Sequence, residues 1–457
     1  MSDIAVVVLC HEPYLKWLPG AVESIDRQLP PAAERVLVCD GCEPPPLNPH
    51  WQVIKGRWGN PAEARNTGAA ATAASWLVFW DADNVMVGGY LAAMQSQLER
   101  APADVGIIYP DIHYCDEHLT PQTLRIFPAW DYWFLRAENY VDTAAAWRRE
   151  ALEAAGGWSS RSGLEDYALA LDITAAGWQA AKLDGPPVLM RVHDGGRVRT
   201  LAREGRLSQE MWRARSCAVV SLLAGRDGTF ARWAEFMSRA ELPPRTALYV
   251  VDNSGREEFT RKIFDECQRL ACERSLTHLD FATTGRAYQT GVDENYLLKG
   301  RHQHVARLYA TVFPRIGEDT VLTLEDDTEP PPDAARRLGE ELGHHHHRAE
   351  VGAVAAAYAM PHNEHEVCAG DGRDGGWGHP PRWDQLPHAP IDVGCVGGGC
   401  TMWANWALRR FPLRVKWEQL LGWDAVLCLE LRRRGYRIRL HGGVRCRHHV
   451  HGAVRTL

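Results

Sequence analysis

Short apolar runs that end abruptly in carboxylates recur along this chain. The clearest covers residues 75–83, with the sequence SWLVFWDAD. A run this short, rich in β-forming residues and bounded by polar ones, predicts a strand buried on both faces. Asp81 and Asp83 would lie at its carboxyl end, where open α/β sheets bind their ligands. The alternative is that both aspartates merely cap the strand in a solvated turn.

The residues before this run alternate between strand and helix patterns. Residues 4–10 and 36–40 are apolar runs, and residues 14–28 between them have helical spacing. An alanine-rich helix then leads into residues 75–83. This order predicts a nucleotide-binding α/β unit. A Gly-x-Gly-x-x-Gly segment is absent from the first turn, which disfavours a dinucleotide-binding fold.

The same pattern starts again in the second half. Apolar runs at residues 218–223, 247–252 and 321–327 predict three more strands. The carboxylates at the ends of the last two are Asp252, Glu325, Asp326 and Asp327. Repetition of an apolar strand tipped with acids indicates a duplicated unit.

Two predicted helices support the duplication. One opens with Glu165-Asp166 and the other with Trp423-Asp424, and a glycine lies 11 positions after each aspartate. A carboxylate in the first turn of a helix is favoured by the helix dipole, so capping alone is an alternative to a catalytic role.

Length and charge limit the function classes. At 457 residues the chain is too long for one ordinary core. We predict two domains joined by a linker, at residues 1–203, 204–215 and 216–457. The net charge of −7 argues against a broad nucleic-acid-binding surface. No apolar stretch is long enough to span a bilayer and no signal peptide is visible, so we expect a cytoplasmic protein without a transmembrane segment.

The metal-ligating residue types differ in what they predict. Carboxylates at a strand tip suit Mg²⁺ or Mn²⁺ shared with a diphosphate. Cys39 and Cys42 have the spacing of half a zinc site, but no second pair matches them among the 12 scattered cysteines. The four histidines at 344–347 predict a polar loop rather than a fixed metal site.

Taken in order, these motifs resemble a family 2 glycosyltransferase of the A-type (GT-A) fold. The resemblance covers most of residues 1–200 and, more weakly, residues 215–457. In the first half it rests on Asp40, Ala64-Arg65-Asn66-Thr67-Gly68, Asp81-Ala82-Asp83, Gly156-Gly157 and Glu165-Asp166. It implies an α/β fold class with two tandem Rossmann-like GT-A domains.

The resemblance also implies roles for these residues. Asp40 would contact the base of a nucleotide sugar, with Arg65 and Asp81 in the same donor site. Asp83 would hold Mn²⁺ or Mg²⁺ bridging the diphosphate, with His193 as a further metal ligand. Asp166 would be the general base, and Glu165 would orient the acceptor. The implied reaction transfers a sugar, with inversion, from a nucleotide diphosphate donor, expected to be UDP-linked, to a glycan or other hydroxyl acceptor.

The second half departs from the family pattern. Asp252, Glu325 and Asp326 would take the nucleotide-sugar positions, Asp327 and His449 would hold the metal, and Asp424 would be the base. Trp423 replaces the glutamate before that base, and no counterpart of the Arg65 segment is clear near Arg307. We predict a second active domain, with a degenerate scaffold or acceptor platform as the alternative.

Two other functions compete with this interpretation. A sugar-phosphate nucleotidyltransferase would need a glycine-rich loop after the first strand, where this chain has LCHEP at residues 9–13. A non-catalytic carbohydrate-binding or assembly protein would have lost turnover, whereas Asp81, Asp83 and Asp166 are all present in the first half.

Overall fold

A computed structural model describes residues 4–284, 304–343, 351–360, 363–372, 378–410, 422–450 and 453–455. The chain divides into two compact units, Met1–Glu210 and Met211–Leu457. Across the described ranges no helix combines the length and apolar character needed to cross a bilayer. The predicted polar loop at residues 344–347 lies outside the described residues.

The first unit is an α/β structure around one large sheet. In chain order its elements are β1 (Ile4–His11), α1 (Leu18–Asp26), β2 (Glu34–Asp40), β3 (Trp51–Gly56), α2 (Pro61–Ala70), β4 (Trp76–Asp81), α3 (Tyr90–Leu98), β5 (Val105–Tyr109), β6 (Ile112–Cys115), β7 (Pro121–Arg125), α4 (Tyr132–Ala137), β8 (Ala146–Arg148), α5 (Arg149–Ala154), α6 (Glu165–Ala175), β9 (Gln179–Lys182), β10 (Val188–Arg191), α7 (Arg197–Arg203) and α8 (Leu207–Ala214). The seven-stranded sheet has the order β3-β2-β1-β4-β8-β5-β9, and a small sheet has the order β10-β6-β7. The predicted α/β fold class is confirmed.

Strand β4 is the central element that the apolar run predicted. Its residues are buried up to Trp80, and it lies between β1, parallel to it, and β8, antiparallel to it. Since β1, β2 and β4 are parallel, Asp40 and Asp81 emerge at the same edge of the sheet. The fold therefore gathers the strand-tip acids that the sequence separates by 40 residues.

Helix α2 packs closely on this sheet because of one glycine. A Cβ atom at Gly68 would lie 2.3 Å from Cγ1 of Val7 on β1. Asn60 caps the start of the helix by accepting a hydrogen bond from the Ala62 N–H at 2.9 Å. The close packing places the rest of α2 against the strand tips.

The second unit repeats this architecture. Its elements are β11 (Ser216–Leu223), α9 (Asp227–Arg239), β12 (Arg245–Asp252), α10 (Glu257–Glu273), β13 (His278–Thr283), α11 (304–312), β14 (Thr320–Leu324), β15 (Thr328–Glu329), α12 (Ala334–Gly343), β16 (Val351–Ala357), β17 (Ala369–Gly370), β18 (Pro390–Val393), β19 (Cys395–Val396), β20 (Cys400–Ala404), α13 (Asn405–Arg410), α14 (Trp423–Arg433), β21 (Arg437–Arg445), β22 (Arg447–Val450) and β23 (Ala453–Arg455). Its main sheet has the order β13-β12-β11-β14-β20-β16-β21-β18. Seven of these strands follow the first unit's order, and β18 is added at one edge.

Candidate active site

The donor side of the first unit's site is built on the tip of β4. The Asp81 carboxylate accepts hydrogen bonds from Arg65 Nη2 at 3.1 Å and from the Thr143 hydroxyl at 3.3 Å. Arg65 is buried, and its ion pair with Asp81 offsets the cost of burying a guanidinium. Arg65 and Asp81 thus meet as the predicted donor site requires.

Asp83 follows two residues later and is paired with a histidine. Its Oδ2 lies 3.0 Å from Nε2 of His193, and both side chains are buried. The rings of Tyr14 and Trp17 pack against His193, with centroid distances of 5.4 and 4.5 Å. These aromatic contacts fix the imidazole beside the carboxylate, where the sequence predicted a metal-ligating pair.

The other oxygen of Asp83, Oδ1, is a candidate metal ligand. Oδ1 is buried and has no hydrogen-bond partner within the described part of the chain. Burial, foremost, and the nearby Asp81 charge raise the pKa of the Asp83 carboxyl above its ordinary value, against the opposing effect of His193. A divalent cation would satisfy this oxygen and favour the ionised form, so the residues present fit Mn²⁺ or Mg²⁺.

The protein supplies few ligands for such a cation. Over the ranges described, no group of three or more His, Cys, Asp and Glu side chains is arranged to hold a metal ion. Asp83 and His193 therefore suit an ion that takes most of its ligands from phosphate oxygens.

The candidate base lies at the start of α6. Asp166 accepts hydrogen bonds from its neighbour's backbone N–H, on Tyr167, at 2.7 Å and from the Asn139 side chain at 3.4 Å. Burial, followed by the charge of Asp142, raises the pKa of Asp166 to about 7. A carboxylate that titrates near neutrality matches the requirement for a general base at physiological pH.

Asp142 is a site residue that the sequence analysis missed. Burial and the charge of Asp81 raise its pKa to about 6, and it in turn acts on Asp166. It therefore lies electrostatically between the donor-side acid and the base. It follows no apolar strand, so the pattern that marked the other acids does not reveal it.

The motif around Asn66 acts as a clamp. The Asn66 side chain donates to the carbonyl of Trp158 and accepts from its N–H, both at 2.9 Å. A Cβ atom at Gly157 would come within 2.9 Å of the Asn66 oxygen, so the adjacent glycine leaves room for the clamp. The Trp158 ring then packs against the Arg65 guanidinium, 4.8 Å from its centroid. The two sequence motifs are thus one structural unit.

Asp40 and Glu165 have more local partners. Asp40 accepts from the backbone N–H groups of Trp58, at 2.7 Å, and Gly59, at 3.0 Å, so its carboxylate holds the loop after β3. Glu165 is buried, and one of its oxygens lies 3.8 Å from Nη2 of Arg197. Both remain beside the predicted donor and acceptor positions, at the strand tip and the start of α6.

Comparison with known proteins identifies the first unit. Residues 5–156 match the family model described as glycosyl transferase family 2. The first unit is a family 2 glycosyltransferase domain. For residues 5–156 the predicted family and enzyme class, a glycosyltransferase, are confirmed. A search of curated protein sequences finds no match.

Solved structures give weaker likenesses. S. aureus TarS residues 1–349 match with 11% identity and a TM-score of 0.36, over 46% of this chain and 65% of that one. GalNAc-T7 with UDP, GalNAc and Mn²⁺ matches with 16% identity and a TM-score of 0.34, over 42% and 44%. The mannosyltransferase PcManGT from Pyrobaculum calidifontis, with GDP-Man and Mn²⁺, matches with 18% identity and a TM-score of 0.33, over 46% and 62%. Each match covers less than two thirds of the other protein.

Strand register shows which residues of the second unit correspond to those of the family 2 domain. Equivalent rows of paired residues cross the three central strands of each sheet: Val7, Phe79 and Val36 in the family 2 domain, and Val220, Thr323 and Tyr249 in the second unit. Counting from these rows, Glu325 takes the position of Asp81. Asn253, rather than the predicted Asp252, takes that of Asp40.

Asp252 is accordingly a structural residue. It is fully buried, and it accepts hydrogen bonds from the Ser254 N–H at 2.8 Å and from the Thr260 hydroxyl. The prediction assigned it to the donor site because it ends the apolar run. Counted from the paired rows, Asp252 lies one residue earlier on β12 than Asp40 does on β2. Asp252 is therefore inside the sheet, and Asn253 lies at its edge.

The predicted metal pair of the second unit is not formed. His449 Nε2 lies 2.8 Å from Glu329 rather than beside Asp327. His448 is the histidine that faces Asp327, with Nε2 3.9 Å from Oδ1. Adjacent residues of a strand point to opposite faces, so His448 faces Asp327 and His449, the predicted ligand, does not.

An arginine instead contacts Asp327, the predicted metal ligand, and its neighbour Asp326, which was predicted to bind the nucleotide sugar. Both terminal nitrogens of Arg226 lie 3.3 Å from Oδ2 of Asp327, and Nη2 also donates to Asp326. Asp326 is buried and further accepts from the Thr229 hydroxyl at 3.1 Å. The positive charge at this strand tip therefore comes from the chain itself.

The counterparts of Arg65 and Glu165 have become aromatic. Tyr309 precedes Glu325 by the same 16 positions that separate Arg65 from Asp81. Its ring packs on Trp423, which replaces Glu165, with centroids 4.1 Å apart. Arg307, near which the sequence has no clear counterpart of the Arg65 segment, is exposed.

Asp424 lies at the position that corresponds to Asp166, but it has a different hydrogen-bond partner. It accepts from the N–H of Ala425, as Asp166 does from Tyr167, and from the N–H of Gly398, each at 2.8 Å. Gly398 lies five residues before Trp403, as Asp142 lies five before the matching Trp147. In the second unit the backbone N–H of Gly398 thus lies at the position of Asp142, the carboxylate whose charge raises the pKa of Asp166.

Proposed function

We propose that the family 2 domain transfers a sugar, with inversion, from a nucleotide diphosphate donor, UDP-linked, to an acceptor hydroxyl. A divalent cation, Mn²⁺ or Mg²⁺, assists the reaction. The observation that carries this proposal is the buried Oδ1 of Asp83, which lacks a partner in the described residues while Oδ2 is held by His193. An unsatisfied buried carboxylate oxygen is costly unless a ligand completes it.

The proton transfer follows from the geometry of α6. Asp166 takes the proton of the acceptor hydroxyl as its oxygen attacks the anomeric carbon. The bond between that carbon and the diphosphate oxygen breaks, and the nucleotide diphosphate leaves with the electron pair. A bound cation would supply charge stabilisation to this leaving group.

Other residues position the two reactants. Arg65 holds Asp81 at 3.1 Å, which keeps the donor-side carboxylate fixed at the strand tip. Glu165, near Arg197, would orient the acceptor hydroxyl toward Asp166. Positioning of this kind supplies much of the rate enhancement of a single displacement.

Loss of either key carboxylate tests the proposal. Asp83→Asn and Asp166→Asn should each lower hydrolysis of a UDP-sugar by the family 2 domain by about 10²-fold or more, through loss of the cation site and of the base. Turnover is measured on the purified full chain with Mn²⁺, in an Asp424→Asn background that isolates the first site. Asp184→Asn, an exposed carboxylate away from the site, is the matched control. Near-normal turnover in both variants would refute the assignment.

We propose that residues 216–457 form a second GT-A domain that takes the same class of donor, joined by residues 204–215 to a first domain at 1–203. The support is that Glu325 and Asp424 lie at the positions of Asp81 and Asp166. Burial and the charges of Asp327 and Asp424 raise the pKa of Glu325 above its ordinary value. The N–H of Glu325 donates to the carbonyl of Gly399 at 2.9 Å, and the adjacent Gly398 donates its N–H to Asp424 at 2.8 Å. The acceptor of either domain is a glycan or another hydroxyl compound.

A further inference from the structure

In the two units an arginine contacts carboxylates at different positions of the strand tip. In the family 2 domain, Arg65 contacts Asp81, and the Asp83 carboxylate has His193 as its partner. In the second unit, Arg226 contacts Asp326 and Asp327, the residues at the positions of Ala82 and Asp83. The arginine therefore contacts one oxygen, Oδ2, of the carboxylate that corresponds to Asp83, while Oδ1 of Asp327 is buried without a hydrogen-bond partner in the described residues.

Arg226 and its partner Asp326 both differ from the residues at the corresponding positions of the first unit. Asp326 stands in place of Ala82, and Arg226 in place of Pro13, as counted from the register rows. Asp326 holds the guanidinium and, through Thr229, the start of α9. Arg226 alone would be a flexible surface side chain, but with Asp326 it is fixed at the strand tip.

The arginine remains available to a ligand. Its side chain is 46% exposed, although one of its partners is buried. A guanidinium presents several N–H donors in a plane, and this geometry matches phosphate oxygens. Its positive charge, 3.3 Å from Oδ2 of Asp327, would also repel a divalent cation at either oxygen of that carboxylate, including the unpartnered Oδ1.

A second observation indicates that a ligand is missing from this site. Tyr309 is fully buried, and its hydroxyl has no hydrogen-bond partner in the described ranges. Burial, together with the charges of Glu325, Asp424 and Asp327, raises the pKa of this hydroxyl above its ordinary value. This hydroxyl is therefore a buried donor without an acceptor in the described residues.

We propose that the second unit binds the diphosphate of its nucleotide donor through Arg226 and needs no divalent cation to do so. The chain then carries one cation-dependent and one cation-independent nucleotide site. This inference rests on the proposed function only in taking a nucleotide diphosphate as the ligand.

Calorimetric titration of the full chain with UDP, and separately with GDP, tests the proposal. With EDTA, we expect one nucleotide per wild-type chain, and with Mn²⁺ we expect two. Asp83→Asn should bind one under both conditions. Arg226→Gln should weaken binding in EDTA at least tenfold, because the forked phosphate contact is lost, whereas Arg261→Gln, an exposed arginine on α10, should bind as wild type.

Electron paramagnetic resonance of bound Mn²⁺ provides an independent count. With saturating nucleotide we expect one Mn²⁺ per wild-type chain and none in Asp83→Asn. Arg226→Lys keeps the charge but not the fork, so its binding in EDTA should fall between wild type and Arg226→Gln. Unchanged Mn²⁺-dependent binding at the first site will show that the Arg226 variants are folded.

The outcomes separate the two proposals. Cation-dependent binding that Asp83→Asn removes, with no binding in EDTA, would overturn the inference and leave the proposed function standing. Two Mn²⁺ ions per wild-type chain would also overturn the inference. No nucleotide binding under any condition would overturn both.

Discussion

At the scale of single residues, Asp166 and Asp142 carry the site's electrostatics. Burial, followed by the charge of Asp142, raises the pKa of Asp166 to about 7, and burial, followed by the charge of Asp81, raises the pKa of Asp142 to about 6. Arg65, buried beside Asp81, opposes this shift for both. Keeping both carboxylates ionised at neutral pH costs free energy. The resulting pKa of Asp166 is close to the value that a general base needs at this pH.

The pH dependence of turnover follows from these values. A base with a raised pKa is ionised only above about pH 7, so turnover by the family 2 domain should fall as the pH drops through 7. Asp142→Asn removes a negative charge and lowers the pKa of Asp166, so this acidic limb should move to lower pH by on the order of one unit. The measurement is a kcat/KM profile of the Asp424→Asn chain with and without Asp142→Asn. An acidic limb that stays in place would contradict the proposed coupling.

At the scale of elements, helix α2 links two sequence motifs. Asn60 caps it, Arg65 reaches the β4 tip, and Asn66 clamps Trp158. These contacts need the helix to lie directly on the sheet, which Gly68 permits. The motif residues act together because one helix presents them.

Adding a methyl group at Gly68 should disturb this packing. Gly68→Ala places a Cβ 2.3 Å from Val7, so we expect a loss of stability of about 1–3 kcal/mol and reduced turnover of the first site. Gly20→Ala, in α1 with no atom within 4 Å of the new Cβ, should be neutral or stabilising. Urea unfolding followed by tryptophan fluorescence measures both. Equal stability of the two variants would show that α2 does not depend on this contact.

At the scale of the whole molecule, one architecture carries two different sites. The strand orders agree, and Trp147 and Trp403 are buried at matched positions. The site residues differ as groups: Arg65 and Glu165 became Tyr309 and Trp423, while Arg226 was added. Arg65 and Glu165 carry opposite charges, and their counterparts carry none, while the positive Arg226 is paired with the negative Asp326. The net charge of these residues is therefore the same in both units.

Separate inactivation of the sites should reveal two activities. Asp166→Asn should remove turnover that requires Mn²⁺, and Asp424→Asn should remove turnover that persists in EDTA, because each aspartate serves its own unit. Hydrolysis of nucleotide sugars by the full chain, in both conditions, measures this. The double variant should lose both activities. A double variant no more impaired than Asp166→Asn alone would show that the second site does not turn over donor.

The sequence by itself determined the strand tips, the α/β class and the family, because an apolar run ending in acids marks a buried strand and its exposed end. It singled out Asp81, Asp83, His193 and Asp166 as candidate site residues, and the structure brings Asp83 and His193 into contact. Only the tertiary structure revealed the positions and contacts of Asp142, Asn253, His448 and Arg226. These depend on strand register, strand face and contacts between distant elements, which the spacing of residues along the chain does not show.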